Sequence, residues 1–340
     1  MKQLQLFAPR DLRLVEVDRS SPARGEVLVR IESCGICTLE QRLYAGEMRI
    51  FYPIVPGHEA AGIVEEVGAE SITALAPGDK VSLDLVYRCG ECYWCRNGQS
   101  NHCANRFAKS VRPLGGFSEY MVVGTQQCFQ VPLEIPSREA CFAEPLACCI
   151  HSLRTVSLKL GEDLLVVGAG PMGLLHTLVA RKMGARVIVA DPLPQRRSLA
   201  EKLGADLTMD SALPLKQQTA ELTGGRGVDV AVVTAPVGQV LREAAMAVRK
   251  GGRVSAYSAY SDTFDLPVDT NYLHRSEVSV FGVEGRTERD FQVAVKLIAT
   301  RAIDISPLIS AECSLEDFAT AMELAGKPDQ VRVLFNLKTS

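Results

Sequence analysis

Four short stretches of the chain carry side chains that could hold a metal ion. Cys37 ends Cys34-Gly35-Ile36-Cys37, His58 and Glu59 sit in Gly57-His58-Glu59-Ala60-Ala61-Gly62, and Glu144 stands in Ala143-Glu144-Pro145-Leu146. A thiolate, an imidazole and one or two carboxylates suit a zinc ion that keeps one position open. A histidine beside a glutamate is common on solvated loops, so the weight rests on the company it keeps. The fourth stretch is denser: Cys89, Cys92 and Cys95, then Cys103. Four thiolates fill a tetrahedron and leave substrate no place, the pattern of a structural zinc. The alternative is four cysteines gathered in a loop by chance. His102, next to the last of them, reads as solvent-facing.

A second chemistry is phosphate binding. Leu164-Leu165-Val166-Val167 is a short apolar run of the kind buried on both faces of a sheet, and it leads into Gly168-Ala169-Gly170-Pro171-Met172-Gly173. Gly168 permits a tight turn, Gly170 lets backbone approach a pyrophosphate, and Gly173 lets helix pack close to strand. The helix N-terminus then offers free N–H groups and partial positive charge to the anion. Such a glycine pattern alone is weak; between a strand and a helix, with Asp191 ending the next strand, it reads as a dinucleotide-binding fingerprint. Asp191 can accept from both ribose hydroxyls while repelling a 2′-phosphate, which favours NAD. Arg196 and Arg197 keep NADP open, since cations there can bind that phosphate.

The elements that must position these groups fall into two patterns. Residues 4–7, 12–17, 27–31, 61–67 and 79–86 read as short strands separated by Pro22, Gly25 and Pro77-Gly78-Asp79, a β-rich module with no long helical period. Cys37 and the His58-Glu59 pair fall on its loops. Beyond Leu164 the pattern alternates strand and helix: 187–190, 229–233, the stretch around 251–254 and 278–281, which predicts a parallel sheet covered by helices. A helix-like stretch follows from about residue 286, with a further helix over 316–325 and a strand over 331–337.

Composition limits the partners. The chain has 340 residues, enough for two cores. Its 37 basic and 40 acidic side chains give a net charge of −3, so nothing favours nucleic acid or an anionic membrane. The charge-free run Leu164–Ala180 contains Gly168, Gly170, Pro171 and Gly173 and reads as strand, turn and helix start, not a membrane span. Eleven cysteines without an apolar N-terminal signal point to metal ligands and buried thiols in a cytoplasmic protein. Cys34, Cys128, Cys141, Cys148, Cys149 and Cys313 read as buried small side chains. His151, His176 and His274 read as satisfied structural histidines.

Together these motifs resemble the zinc-dependent medium-chain dehydrogenases and reductases. The carriers are Gly57-His58-Glu59 followed by Gly62, Gly68 and Ser71, with Gly78-Asp79-Lys80-Val81, the four-cysteine lobe, Gly116-Phe117-Ser118-Glu119-Tyr120 and Glu144-Pro145-Leu146 in family order. Glu144-Pro145-Leu146 is more similar to the sorbitol and threonine dehydrogenase branch than to classical alcohol dehydrogenases, which have cysteine there. The resemblance implies an α/β protein: a GroES-like β-rich catalytic domain (1–150, with the zinc lobe at 89–103), a Rossmann NAD-binding domain (151–285), and a return to the catalytic domain (286–340). It implies two zinc ions per chain, NAD and a homodimer or homotetramer. Cys37, His58 and Glu59 become the catalytic zinc ligands, and Glu144 a fourth ligand or a carboxylate behind them. Arg196, five positions after Asp191, accompanies NAD use in the family. Residues 105–114 and those near Leu43, Tyr44 and Phe51 would shape the substrate pocket, and Ala235, Tyr257–Ala259 and Gly282-Val283 the cofactor cleft.

One departure stands out. The family usually has Thr or Ser and then Asp after Cys-Gly, the hydroxyl beginning a proton relay; this chain reads Cys37-Thr38-Leu39-Glu40. Leu39 transfers no proton, and Glu40 keeps the acidic place. The expected reaction is hydride transfer between NAD(H) and a secondary alcohol of a polyol, sugar alcohol or cyclitol, with Glu59 making the metal harder and more tolerant of a second oxygen. A threonine-type amino-alcohol dehydrogenase is the rival enzyme, weakened by the missing histidine after Cys37. A non-catalytic NAD-binding scaffold is the rival from another class, motivated by Leu39.

Overall fold

The apolar runs and turn residues resolve into two large sheets, each with its own core, and one two-stranded hairpin. The computed structural model describes residues 1–48, 50–106, 114–259 and 270–338. Contacts divide the chain into one unit of Met1–Ala147 with Arg286–Ser340 and a second of Cys148–Gly285.

The first unit holds β1 (Lys2–Ala8), β2 (Asp11–Glu16), β3 (Glu26–Gly35), β4 (Glu59–Val67), β5 (Lys80–Asp84), β6 (Tyr120–Gly124) and β7 (Cys128–Gln130). β1 and β2 form a hairpin. β3 pairs antiparallel with β4 and β6, β4 with β5, and β5 with β7. Alternation along β3 puts Val27, Val29 and Ile31 inward, but Leu28 is buried as well, because β3 is a central strand covered on both faces. At Gly62 a Cβ would stand 2.0 Å from the Arg30 carbonyl, so only glycine lets β3 and β4 approach this closely.

The second unit contains β8 (Asp163–Val167), β9 (Arg186–Ala190), β10 (Leu207–Met209), β11 (Val228–Val233), β12 (Val248–Ala256) and β13 (Ser279–Gly282). The sheet runs β10-β9-β8-β11-β12-β13, all neighbours parallel. Counted from β8 as the first strand, that is the 3-2-1-4-5-6 order of a dinucleotide-binding sheet, reversing direction between β8 and β11. Leu164 to Val167 are at most 1% exposed. Each such side chain contributes roughly 1.5–3 kcal/mol.

The chain completes the first unit with β14 (Ile309–Cys313) and β15 (Arg332–Asn336). β14 lies parallel to β15, and β15 is antiparallel to β3, where Phe335 meets Phe117 edge-on at 4.7 Å. Among the described residues no helix is long and apolar enough to cross a membrane.

Several expectations need correction. Cys37 and Glu59 do not stand within loops: Cys37 caps the Thr38–Ala45 helix and Glu59 opens β4, while Leu43, expected near the pocket, is a core residue (1% exposed). The helix is hard to read from sequence because it is short and only Leu43 of its apolar side chains is fully inside, with Leu39 and Tyr44 packed at the core's edge. Cys128, Cys148 and Cys313 are half-buried, whereas Cys34, Cys141 and Cys149 are buried as expected. His274 is exposed. Residues 107–113 of the expected pocket loop lie outside the described residues.

Candidate functional site

Cys37 occupies the N-cap of the Thr38–Ala45 helix in extended conformation. Its own N–H donates to Glu40 Oε2 at 3.0 Å. Gly57, at φ +96°, turns the chain under the Phe117 ring and delivers His58 to the head of β4. Glu59 is the first residue of β4, opposite Gly35 on β3. A Cβ on Gly35 would lie 2.2 Å from Glu59 Oε2, so that glycine makes the carboxylate's seat.

These elements bring one donor atom each from Cys37, His58 and Glu59 to within 4.8 Å of one another. His58 Nδ1 is 2.6 Å from Glu40 Oε1. A carboxylate can only accept, so the proton sits on Nδ1 and Nε2 is the ligand face. Glu59 Oε1 is buried without a hydrogen bond, although Arg332 Nη2 stands 3.2 Å away at a poor angle. An orphaned carboxylate oxygen next to a thiol and an imidazole lone pair fits a zinc ion. Burial opposes the charged form of His58, but Glu40 and Glu144 prevail and hold its pKa well above the ordinary value, so a metal must displace that proton. Burial raises the pKa of Glu59, with Arg332 acting against it.

Glu144 lies close but outside this triad. Its Oε1 is 3.9 Å from His58 Nε2 and is paired with Arg286 Nη1. Thr38 is exposed and Leu39 packs against the core. Arg332 carries no sequence signal of a site residue: besides facing Glu59, its Nη1 donates to the Ile36 carbonyl at 3.0 Å. It lies on β15, far along the chain, and only the β15–β3 pairing brings it here. Burial works against the Arg332 charge, but Glu59 and Cys37 outweigh it and its pKa is raised.

The sulfurs of Cys89, Cys92, Cys95 and Cys103 also lie within 4.8 Å of one another, with Cys89 and Cys103 3.6 Å apart. Zinc–sulfur bonds of about 2.3 Å in a tetrahedron give edges of about 3.8 Å, so the four fit a zinc ion. Backbone N–H groups aim at the sulfurs: Cys89 donates to Cys103 Sγ at 3.3 Å and Cys92 to Cys89 Sγ at 3.4 Å. Amides of Ala104 and Cys95 lower the Cys92 pKa to about 6, whereas burial pushes Cys95 to about 12. His102 is exposed, edge-on to Trp94.

In the second unit, Gly168 (φ +103°) turns the chain off β8, and Gly170 is the N-cap of the Pro171–Lys182 helix, with no side chain capping it. Pro171 takes the first helical position, which needs no N–H. A Cβ on Gly173 would stand 1.8 Å from the Gly168 carbonyl; one on Gly170 would meet nothing within 4 Å. The chain therefore needs Gly173 for itself but leaves space beside Gly170, as a cradle for a phosphate requires. Met172 faces inward through its carbonyl, which accepts from His176 Nδ1 at 2.7 Å. Thr234, at the end of β11, donates to the Gly168 carbonyl at 3.0 Å and fixes the turn, a contact no motif announces. Tyr257 packs edge-on against His176.

Asp191 is buried; Oδ2 accepts from Ala169 N–H at 2.7 Å and Oδ1 from Leu193 N–H at 2.9 Å. Arg196 Nη1 lies 4.0 Å from Asp191 Oδ2, and Arg197 Nη1 donates to the Asp191 and Pro192 carbonyls.

Residues 23–133 match the model of the alcohol dehydrogenase GroES-like domain, and residues 171–300 that of the zinc-binding dehydrogenases. The chain is similar to an L-threonine 3-dehydrogenase of Pyrococcus abyssi, 32% identical over 96% of this chain and 95% of that protein. Among solved structures it is similar to a zinc-binding dehydrogenase of Sinorhizobium meliloti bound to NADP (TM-score 0.92, 30% identity, 98% of each chain). It is also similar to an Escherichia coli alcohol dehydrogenase complexed with NADH (TM-score 0.91, 28% identity, 99% of each chain). The chain belongs to the zinc-binding medium-chain dehydrogenase/reductase family.

Proposed function

We propose that this chain is an NAD(H)- and zinc-dependent dehydrogenase of a secondary alcohol on a polyol, sugar alcohol or cyclitol. The carrying observation is the triad of Cys37, His58 and Glu59 with its orphaned, buried carboxylate oxygen. A zinc ion held there supplies Lewis acidity to an alcohol or carbonyl oxygen. The residues do the rest: Glu40 orients His58, Gly35 seats Glu59, and Arg332 balances the carboxylate's charge. With Leu39 in the relay place and Thr38 exposed, Glu144 is the remaining carboxylate near His58 Nε2, and we assign it the substrate proton.

For the cofactor, the space at Gly170 fits a pyrophosphate and the buried Asp191 charge repels a 2′-phosphate. Arg196 and Arg197 face acceptors of their own loop, which supports NAD over NADP. Membership of this family leads us to propose a cytoplasmic homodimer or homotetramer acting on small molecules.

The identity to a threonine 3-dehydrogenase favours an amino-alcohol substrate as a second reading. An amino acid brings a carboxylate that wants a cation, and the buried cations nearest the triad, Arg286 and Arg332, already face Glu144 and Glu59. A neutral polyol makes no such demand. A panel of polyols, cyclitols, threonine and other amino alcohols, read by absorbance of the reduced nicotinamide, separates the two. Turnover of threonine above every polyol sinks the first reading; two zinc ions per chain by metal analysis are expected under either.

A further inference from the structure

One set of buried charges has no part in the chemistry above, yet it runs between the two groups of metal-binding residues. Asp84 ends β5 directly opposite Glu59. Its oxygens accept from different guanidiniums: Oδ2 from Arg88 Nη1 at 2.7 Å, Oδ1 from Arg286 Nη2 at 2.8 Å. The side chains of Asp84, Arg88 and Arg286 are 0%, 7% and 5% exposed, so water does little to screen them. Arg286 reaches with Nη1 to Glu144 Oε1, the oxygen 3.9 Å from His58 Nε2.

The other end of this chain of charges is the four-cysteine knuckle. Arg88 immediately precedes Cys89 and donates through Nη2 to the Arg286 carbonyl at 3.0 Å. Its Nε lies 3.4 Å from Glu288 Oε2, which accepts from Ser100 Oγ in the turn leading to Cys103. Glu288 and Arg286 flank Thr287, the N-cap whose hydroxyl and N–H both bond Asp290, so their backbone is fixed. Both ends of the knuckle are thus tied to one guanidinium.

We propose that Arg88 is a positioning residue that passes the geometry of the four-cysteine knuckle, through Asp84 and Arg286, to Glu144 and the metal-binding face of His58. The inference rests on the zinc-dependent reading above. A guanidinium satisfies Asp84 and the Arg286 carbonyl from one rigid plane, which a lysine cannot do. Without it Arg286 is free to turn wholly to Asp84, and Glu144 loses its hold beside His58. The knuckle then has a role in the reaction as well as in stability.

The test uses cobalt(II) in the full-length chain, because its visible spectrum distinguishes a four-thiolate site from one with a single thiolate. Arg88→Met is expected to bind cobalt at Cys37, His58 and Glu59 about 10-fold more weakly, the lower end of what outer partners of metal ligands contribute. Its spectrum there should change while the knuckle's stays as in the parent. Arg88→Lys should recover the unfolding midpoint without recovering that spectrum. Should Arg88→Met fail to fold, Glu288→Gln at the solvent-side end takes its place, with a change of the triad's cobalt spectrum and a weaker affinity expected. Cobalt affinity and spectrum within twofold of the parent, or full rescue by lysine, overturn the proposal alone. A parent chain that binds no cobalt at the triad overturns the zinc reading and this proposal with it.

Discussion

Adding one methyl group at either of two glycines in the phosphate turn should have opposite consequences. Gly170 has φ −75° and ψ −175°, which alanine adopts freely, and its Cβ would meet nothing within 4 Å. Gly170→Ala should leave the fold intact, or stabilise it by roughly 0.4–1 kcal/mol through the unfolded chain. The same methyl fills the space a pyrophosphate enters. Overpacking of that kind costs about 1–3 kcal/mol, and at ~1.4 kcal/mol per tenfold NADH should bind roughly 5- to 140-fold more weakly. Gly173→Ala places its Cβ 1.8 Å from a backbone oxygen that cannot move aside. The helix must shift, at a cost of about 3 kcal/mol or more, lowering the unfolding midpoint by ~10 °C. Fluorescence titration with NADH and thermal unfolding of both variants read the two effects. If Gly170→Ala binds NADH like the parent, or unfolds earlier than it, the space beside Gly170 is not a phosphate cradle.

Three further perturbations address the metal centre and the second core. Glu40→Ala removes the partner of His58 Nδ1 and should weaken zinc at the triad about 10- to 100-fold, measured by chelator competition; unchanged affinity would show that Glu40 does not orient the ligand. Arg332→Met leaves Glu59 buried without its cation and should destabilise the metal-free chain by about 3–5 kcal/mol, part of which zinc restores. An equal loss with and without zinc in thermal unfolding would remove Glu59 from the ligand set. His176 is fully buried, and burial lowers its pKa from 6.5 to about 4, against the bond to Met172. The unfolded chain therefore binds the extra proton between those values, so this contribution is complete above pH 6.5 and lost as pH falls toward 4. At ~1.4 kcal/mol per unit, about 2 kcal/mol goes between pH 6.5 and 5. Urea unfolding of His176→Phe across that range should lack this part of the slope, and parallel curves for variant and parent would refute it.

The parts legible in the sequence were those whose chemistry is local. Gly168 and Gly173 announce their turn because each answers a steric demand within six residues, and Leu164–Val167 and Val230–Val233 are apolar without a break. The pairing of His58 with Cys37 is less local: Gly57 turns the chain just before His58, and Cys37 follows two residues after the end of β3. What stayed hidden arises from strand order. Arg332 meets Glu59 only because β15 lies against β3, and Asp84 meets Arg286 only because the returning chain lands beside β5. Neither residue stands in a pattern that differs from an ordinary surface charge. The Thr38–Ala45 helix stays hidden for the opposite reason: it is too short for its period to register, and its N-cap, Cys37, carries the signal of a metal ligand instead of a helix start.

Asp191 is engaged before any nucleotide arrives. Its two oxygens already clasp the amides of Ala169 and Leu193, one in the glycine turn and one at the start of the next helix's approach. The acid we propose to discriminate between dinucleotides is also the pin that joins those loops. Redesign toward a phosphorylated cofactor by simply exchanging this side chain would therefore slacken the cradle while changing its preference. A successful switch has to furnish new acceptors for both amides at the same time as it introduces a cation.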